Sequence, residues 1–172
     1  MKKKQFHTTG VYKMTTNGNA PSAQESMASL PMAVAAQYIK DLSFENPRVV
    51  QNMVEQKGTP EISVNIQVQA QPVGEKAFEV SLIIEATAKH QEETSFLVEL
   101  TYAGIFTFGE VNEEILKPYL LIECPRLLFP FARNIIAEIT QSGGMPPLYL
   151  NPMDFAELYR HQHLSQETHA TN

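Results

Sequence analysis

One cysteine stands in the 172 residues, Cys124, so an intrachain disulfide is excluded and a reducing compartment fits. Long apolar runs are missing too, since none approaches the roughly 18 residues that a membrane-spanning helix requires. Basic residues are few, with 13 Lys and Arg against 19 Asp and Glu, and the net charge of -6 argues against a nucleic-acid partner. Four of the 13 (Lys2, Lys3, Lys4 and Lys13) lie in a leading stretch that holds no acid, so the remainder is more acidic than the total suggests. An acidic body suits a basic partner. Catalytic signatures are also lacking: there is no phosphate-cradling glycine loop, no G-x-S-x-G and no H-E-x-x-H. No internal repeat is visible.

What is present suffices for one domain with a proper core. Residues 1–36 are rich in Thr, Asn, Ser, Ala and Gly without a sustained period, which predicts a disordered leader. Lys2–Lys4 followed by Met32-Ala33-Val34-Ala35-Ala36 has the outline of a signal peptide. More than twenty mostly polar residues separate the two, however, and Ser29 and Pro31 interrupt the apolar stretch. The expectation is therefore a cytoplasmic protein with a domain over 37–161 and a flexible polar tail over 162–172.

Within that domain, Tyr38, Leu42 and Phe44 fall at even spacings and predict a first strand, closed by Glu45-Asn46-Pro47. Residues 46–60 read as a long loop. Ile62, Val64, Ile66 and Val68 alternate with polar residues, as do Phe78, Val80, Leu82, Ile84 and Ala86, then Phe96, Val98, Leu100 and Tyr102. Short connectors between these three runs favour an antiparallel meander. Helical patterns follow over 113–122 and 125–142, the second with Leu128, Phe131, Ile135 and Ile139 as its apolar face. Pro125 suits a first turn and Gly143-Gly144 a stop, whereas Pro130 should disturb the turn that contains Arg126. A last short helix is expected over 153–161. Strands first and helices afterwards give an α+β domain.

Candidate functional residues each admit two readings. Cys124 precedes a proline in an apolar setting, which describes an inert buried thiol better than a nucleophile paired with a histidine. His161 and His163 are two apart and point to different sides of a helix, a poor metal pair. No catalytic, cofactor-binding or metal-binding residue is assigned. Phe106, Phe108, Phe129 and Phe131 fit either a core or an apolar groove beside the sheet. Gly104 and Gly109 suggest a strand that bends, bulges or lets backbone approach closely. Glu79, Glu85 and Glu99 share the face away from the apolar side, as a solvated surface or as a docking surface for a basic partner. Leu97, beside Glu99, favours docking.

Five blocks carry a further signal: Asp41-Leu42-Ser43-Phe44-Glu45-Asn46-Pro47, Glu92-Glu93-Thr94-Ser95-Phe96-Leu97-Val98-Glu99, Gly104-Ile105-Phe106, Cys124-Pro125-Arg126-Leu127-Leu128-Phe129-Pro130-Phe131-Ala132-Arg133, and Pro146-Pro147-Leu148. In this order they resemble SecB, the ATP-independent export chaperone of Gram-negative bacteria, over roughly residues 37–160. The resemblance implies a four-stranded antiparallel sheet with helices on one face, assembled as a homotetramer, a dimer of dimers. It implies a holdase that keeps secretory preproteins unfolded and hands them to the translocation ATPase SecA, with no cofactor and no insertion into the membrane. SecA's zinc-containing basic tail would dock on Asp41, Glu45, Leu97 and Glu99, and clients on Phe106, Phe108, Phe129 and Phe131. The zinc belongs to SecA. Three features depart from the family pattern: Ala103 replaces the first of a glycine pair, Asn134 follows Ala-Arg in place of a charged residue, and residues 162–172 hold one acid, Glu167. Two alternatives are an adaptor for a narrower client, such as an antitoxin, and a small α+β enzyme with an apolar pocket.

Overall fold

Alternating side chains build four antiparallel strands in the computed structural model, which describes residues 32–55 and 58–161. These are β1 (Met32–Glu45), β2 (Glu61–Pro72), β3 (Ala77–His90) and β4 (Glu93–Phe108), arranged in the order β1-β4-β3-β2. The meander β2–β3–β4 is as the periodicity predicts. β1 lies outside β4, at the edge opposite β2. It begins at Met32, so residues 32–36 belong to the sheet and not to the leader; the remaining leader and tail expectations lie outside the described residues.

Two register shifts interrupt β1, between Val34 and Ala36 and between Ile39 and Asp41, leaving Ala35 and Lys40 as extra residues. An extra residue resets which face each later side chain occupies. Tyr38 pairs with Ala103, while Leu42 pairs with Leu100 and Phe44 with Val98. Tyr38 therefore lies on the opposite face from Leu42 and Phe44, against the simple alternation read from sequence. No bulge falls at Gly104, where the pairing of β4 with β3 continues unbroken; the one shift of that pairing lies at Ser95, between Ala88–Phe96 and Lys89–Thr94. Gly104 is needed for close approach: a Cβ there would lie 2.8 Å from the Phe106 ring and 2.9 Å from the Leu128 side chain.

The inner face of the sheet carries Val80, Leu82, Ile84, Val98, Leu100 and Phe106, all buried beneath the helices. α1 (Val49–Glu55) is a short helix within the stretch read as a loop. α2 (Glu113–Pro118) starts at Asn112, whose side-chain oxygen accepts from the Glu114 N–H at 3.1 Å. A π-helical turn, Tyr119–Glu123, then leads without a break into α3 (Cys124–Ser142), and the Cys124 N–H donates to the Tyr119 carbonyl five residues back. This wide turn accommodates Pro125, which lacks a donor and would crowd a tight turn before it. Pro130 does not break α3, because it lies on the exposed side, where solvent access lowers the cost of the lost hydrogen bond.

α3 presents Leu128, Ala132, Ile136 and Thr140 to the sheet. The expected stripe shares only Leu128 with this row. Phe131 is 52% exposed, and Ile135 and Ile139 are half-buried. The buried row contains small and polar residues, Ala132 and Thr140, that a hydrophobic pattern underrates. Thr140 is satisfied locally: its hydroxyl donates to the Ile136 carbonyl at 2.8 Å and accepts from the Leu148 N–H at 2.9 Å. α3 stops at Gly143-Gly144, with Gly144 in the left-handed region at φ 80. Asn46 ties this end to the close of β1, donating to the Gly143 carbonyl at 2.8 Å. Residues 155–161 form α4, whose Phe155 ring meets Phe129 edge-on at 5.7 Å.

Candidate functional site

Among the described residues no helix lies against the outer face of the sheet, and its cross-strand rows group the acids. Glu45 pairs with Leu97, which pairs with Thr87; Ser43 pairs with Glu99, which pairs with Glu85; Asp41 pairs with Thr101. The four residues expected to dock a basic partner therefore share one face, at its β1–β4 side. Asp41, Glu45 and Glu99 are exposed and Leu97 is half-buried among them. Ser43 donates to Glu99 at 3.2 Å, and Asn65 approaches Glu85 at 3.4 Å. Glu85 and Glu99 stand directly opposite one another, a like-charge pair that weakens the local sheet. Glu85 was absent from the expected docking set, although its place on this face was legible from alternation.

Glu79 behaves differently from the other acids of this face. It is only 8% exposed, because Tyr38 and Lys40 reach over β4 from one side and Gln71 approaches from the other. Tyr38 Oη and Lys40 Nζ each donate to it at 2.5 Å, and Gln71 Nε2 donates at 2.8 Å. The Lys40 ammonium, then the Tyr38 hydroxyl, hold its carboxyl below the usual carboxylate range in spite of burial, which opposes them. The Tyr38 phenol is raised in turn, first by its hydrogen bond to Glu79 and then by burial. Ala103, fully buried, lies beneath these two side chains in a regular strand position opposite Tyr38. Glu79 is thus an internal tie and not part of an open acidic surface.

Three of the four phenylalanines expected to line one groove, Phe106, Phe108 and Phe129, belong to the buried core cluster. Phe106 is wholly buried in the core, so in this fold it cannot line an open groove. Phe108 packs between Phe78, at 5.7 Å, and Tyr119, at 6.3 Å. Phe129 is covered by Phe155. Phe131 alone is open, stacked at 6.3 Å on Tyr102. The helix side instead offers separate hollows. One of about 490 Å³ is of mixed character, with Phe78, Phe108, Val111 and Leu116 beside Glu75, Lys76, Glu110 and Asn112. A second, of about 450 Å³, lies among Met32, Ile115, Tyr119, Ile122 and Leu127. A third, of about 400 Å³, lies between β2 and the chain before α4, at Val64, Ile66, Leu150 and Met153. Leu127 and Phe131, one turn apart, form a second apolar row on α3 that the described chain leaves about half exposed, and Ile39 of β1 is 48% exposed.

Cys124 is fully buried with its thiol 3.3 Å from the Met32 sulfur. Burial, aided by the charge of Glu123, pushes the thiol up to about 12, so it stays protonated at neutral pH and is a poor nucleophile. Among the described residues no helix is long and apolar enough to cross a membrane.

Comparison with known proteins agrees with this arrangement. The family profile described as "Preprotein translocase subunit SecB" matches residues 24–166. The protein-export protein SecB of Rhodospirillum centenum is 48% identical over 149 residues, covering 86% of this chain and 89% of that protein. Its counterpart from Maricaulis maris is 46% identical, covering 87% of each. Among solved structures, a SecB-like chaperone of Mycobacterium tuberculosis, in complex with an antitoxin peptide, superposes with a TM-score of 0.58 at 18% identity, over 73% of this chain and 93% of that one. That likeness concerns the fold. With the profile spanning most of its length and relatives near half identity, the chain belongs to the SecB family of protein-export chaperones.

Proposed function

We propose that this chain is a cytoplasmic, ATP-independent holdase that keeps secretory preproteins unfolded and delivers them to SecA. The observation that carries the reading is the separation of two surfaces on one sheet. Apolar hollows and a half-exposed apolar row lie on the helix side, and Asp41, Glu45, Leu97 and Glu99 share the outer side. Each large apolar side chain of a client buried in such a hollow contributes roughly 1.5–3 kcal/mol. Several anchors give about 6–12 kcal/mol, from which association and ordering subtract several. One subunit therefore binds weakly and with little sequence preference, and linked subunits supply avidity. The row of Leu127 and Phe131, with Ile39 and Leu42 of β1, supports packing of further copies into a dimer of dimers.

The acidic side suits a basic partner through complementary potential, and SecA's zinc-containing basic tail has that chemistry. Glu85 joins the docking set on its cross-strand pairing with Glu99. An adaptor role for an antitoxin client is less well supported, since the antitoxin complex belongs to a structure only 18% identical, while relatives at 46–48% are export proteins. An enzyme built on Cys124 is disfavoured by its protonated, buried thiol.

Gel filtration with light scattering tests the reading. The full-length protein, mixed with an unfolded secretory precursor without ATP, should elute as a tetramer holding the precursor and should ignore the folded form. A monomer that ignores both would reject it. Cys124→Ala should leave capture unchanged.

A further inference from the structure

The bulge at Lys40 decides which way the end of β1 faces. Ile39 pairs with Tyr102 and Asp41 with Thr101, so Lys40 is skipped. Unbroken pairing after Ile39 would set Lys40 against Thr101 and Asp41 against Leu100. Asp41, Ser43 and Glu45 would then point into the core, and Leu42 and Phe44 outward. Burial of Phe44, whose ring meets Phe96 at 6.0 Å, requires that one extra residue be present somewhere before it. That requirement does not say where. An extra residue at 39 would keep Asp41 against Thr101 but turn Lys40 to the core face, and one at 41 would take Asp41 itself out of the pairing.

What marks position 40 is the convergence on Glu79. Lys40 Nζ and Tyr38 Oη, from two points that flank Ile39, donate to Oε1 and Oε2 of one carboxylate of β3 at 2.5 Å, and Gln71 of β2 donates to the same Oε1 as Lys40 at 2.8 Å. The tie spans the whole sheet and passes over Ala103 of β4, whose small, buried side chain leaves room for both donors. On a face where Glu85 and Glu99 are exposed, a carboxylate that is only 8% exposed and meets three donors within 2.8 Å, with Ser81 at 3.5 Å, is a built feature. Bulges of this kind re-aim side chains next to functional surfaces.

We propose that Glu79 is a positioning residue for the docking face: by gripping Lys40 and Tyr38 it fixes the extra residue of β1 at position 40 and so aims Asp41 beside Glu99. The inference rests on the docking reading given above, and it acts through Asp41 and not through the charge of Glu79.

A double-mutant cycle on the full-length protein tests this, with calorimetry against a synthetic, zinc-loaded SecA tail peptide as the probe. Glu79→Ala and Asp41→Asn should each weaken binding by about tenfold, and the double variant by little more than either alone. Backbone amide resonances of residues 38–42 should move in Glu79→Ala, while capture of an unfolded precursor stays as in the parent. Losses that multiply would mean that Glu79 acts through its own charge, and would overturn the proposal. So would parental binding by Glu79→Ala when Glu99→Lys is defective. Absence of binding by the parent, or parental binding by Glu99→Lys, would instead remove the docking reading and this inference with it. If Glu79→Ala does not fold, Lys40→Met takes its place in the same cycle, with the same outcomes deciding.

Discussion

The two sides of this sheet offer a partner opposite physics. On the helix side, two hollows of about 400 and 450 Å³ are lined mainly by apolar side chains and set few directional demands on what enters. On the outer side, identity resides in rows: Glu45 with Leu97, Ser43 with Glu99 and Glu85, Asp41 with Thr101. A surface that binds by area tolerates many partners, and one that binds by placed charge selects one. Because a single sheet separates them, most substitutions should disturb one side and leave the other intact.

The largest expected effect is the one that abolishes the distinction. Phe106→Asp places a charge in a fully buried core position and should destabilise the chain by at least about 4 kcal/mol, losing capture and docking together. Urea unfolding checks it, and a stable variant defective in capture alone would return Phe106 to the client surface. Phe131→Asp acts on the helix side only. Capture and assembly should weaken about ten- to hundredfold while the SecA tail still docks, as calorimetry on both ligands would report. Glu99→Lys acts on the outer side only. Docking should fall about tenfold with capture spared, and the variant should gain roughly 0.2–1 kcal/mol of stability, because the new lysine faces Glu85. Equal or lower stability would show that the Glu85–Glu99 pair carries no local strain.

The smallest effect concerns pH. Glu79 has its carboxyl lowered from the ordinary value of 4.5, so its contribution to stability is complete above that pH and is lost as pH falls through the lower, folded-state value. Glu79→Gln should therefore flatten the acid limb of a stability profile and leave the neutral region nearly parallel to the parent. An unchanged acid limb would mean that the tie is not formed in solution.

Much of this architecture was legible in the residues. Clean alternation placed β2, β3 and β4, and Gly143-Gly144 marked the end of α3. Periodicity failed where a single residue breaks it. The bulge at Lys40 put Tyr38 on the face opposite Leu42 and Phe44, and no pattern of apolar residues records such an insertion. The core-facing row of α3 was missed because Ala132 and Thr140 occupy it, while the more hydrophobic Phe131 lies open. Aromatic content could not sort core from surface, since Phe106 and Phe131 look alike in sequence and differ only in what covers them. The acidic face was readable as a face. That Glu79 is withdrawn from it depends on Tyr38, 41 residues away, which no local signal joins to it.

The strand order also sets a sequence of events during synthesis. β1 leaves the ribosome first, yet its one neighbour in the sheet is β4, which is complete only at Phe108. The meander of β2, β3 and β4 can form from residues that follow one another closely, whereas Met32 must wait for a partner 76 residues downstream. The strand that carries Asp41 and Glu45 is thus the first made and the last able to pair. A chain that stops short of β4 leaves Asp41 and Glu45 without Leu97 and Glu99, so on the proposed docking reading only a subunit synthesised through β4 would bind SecA.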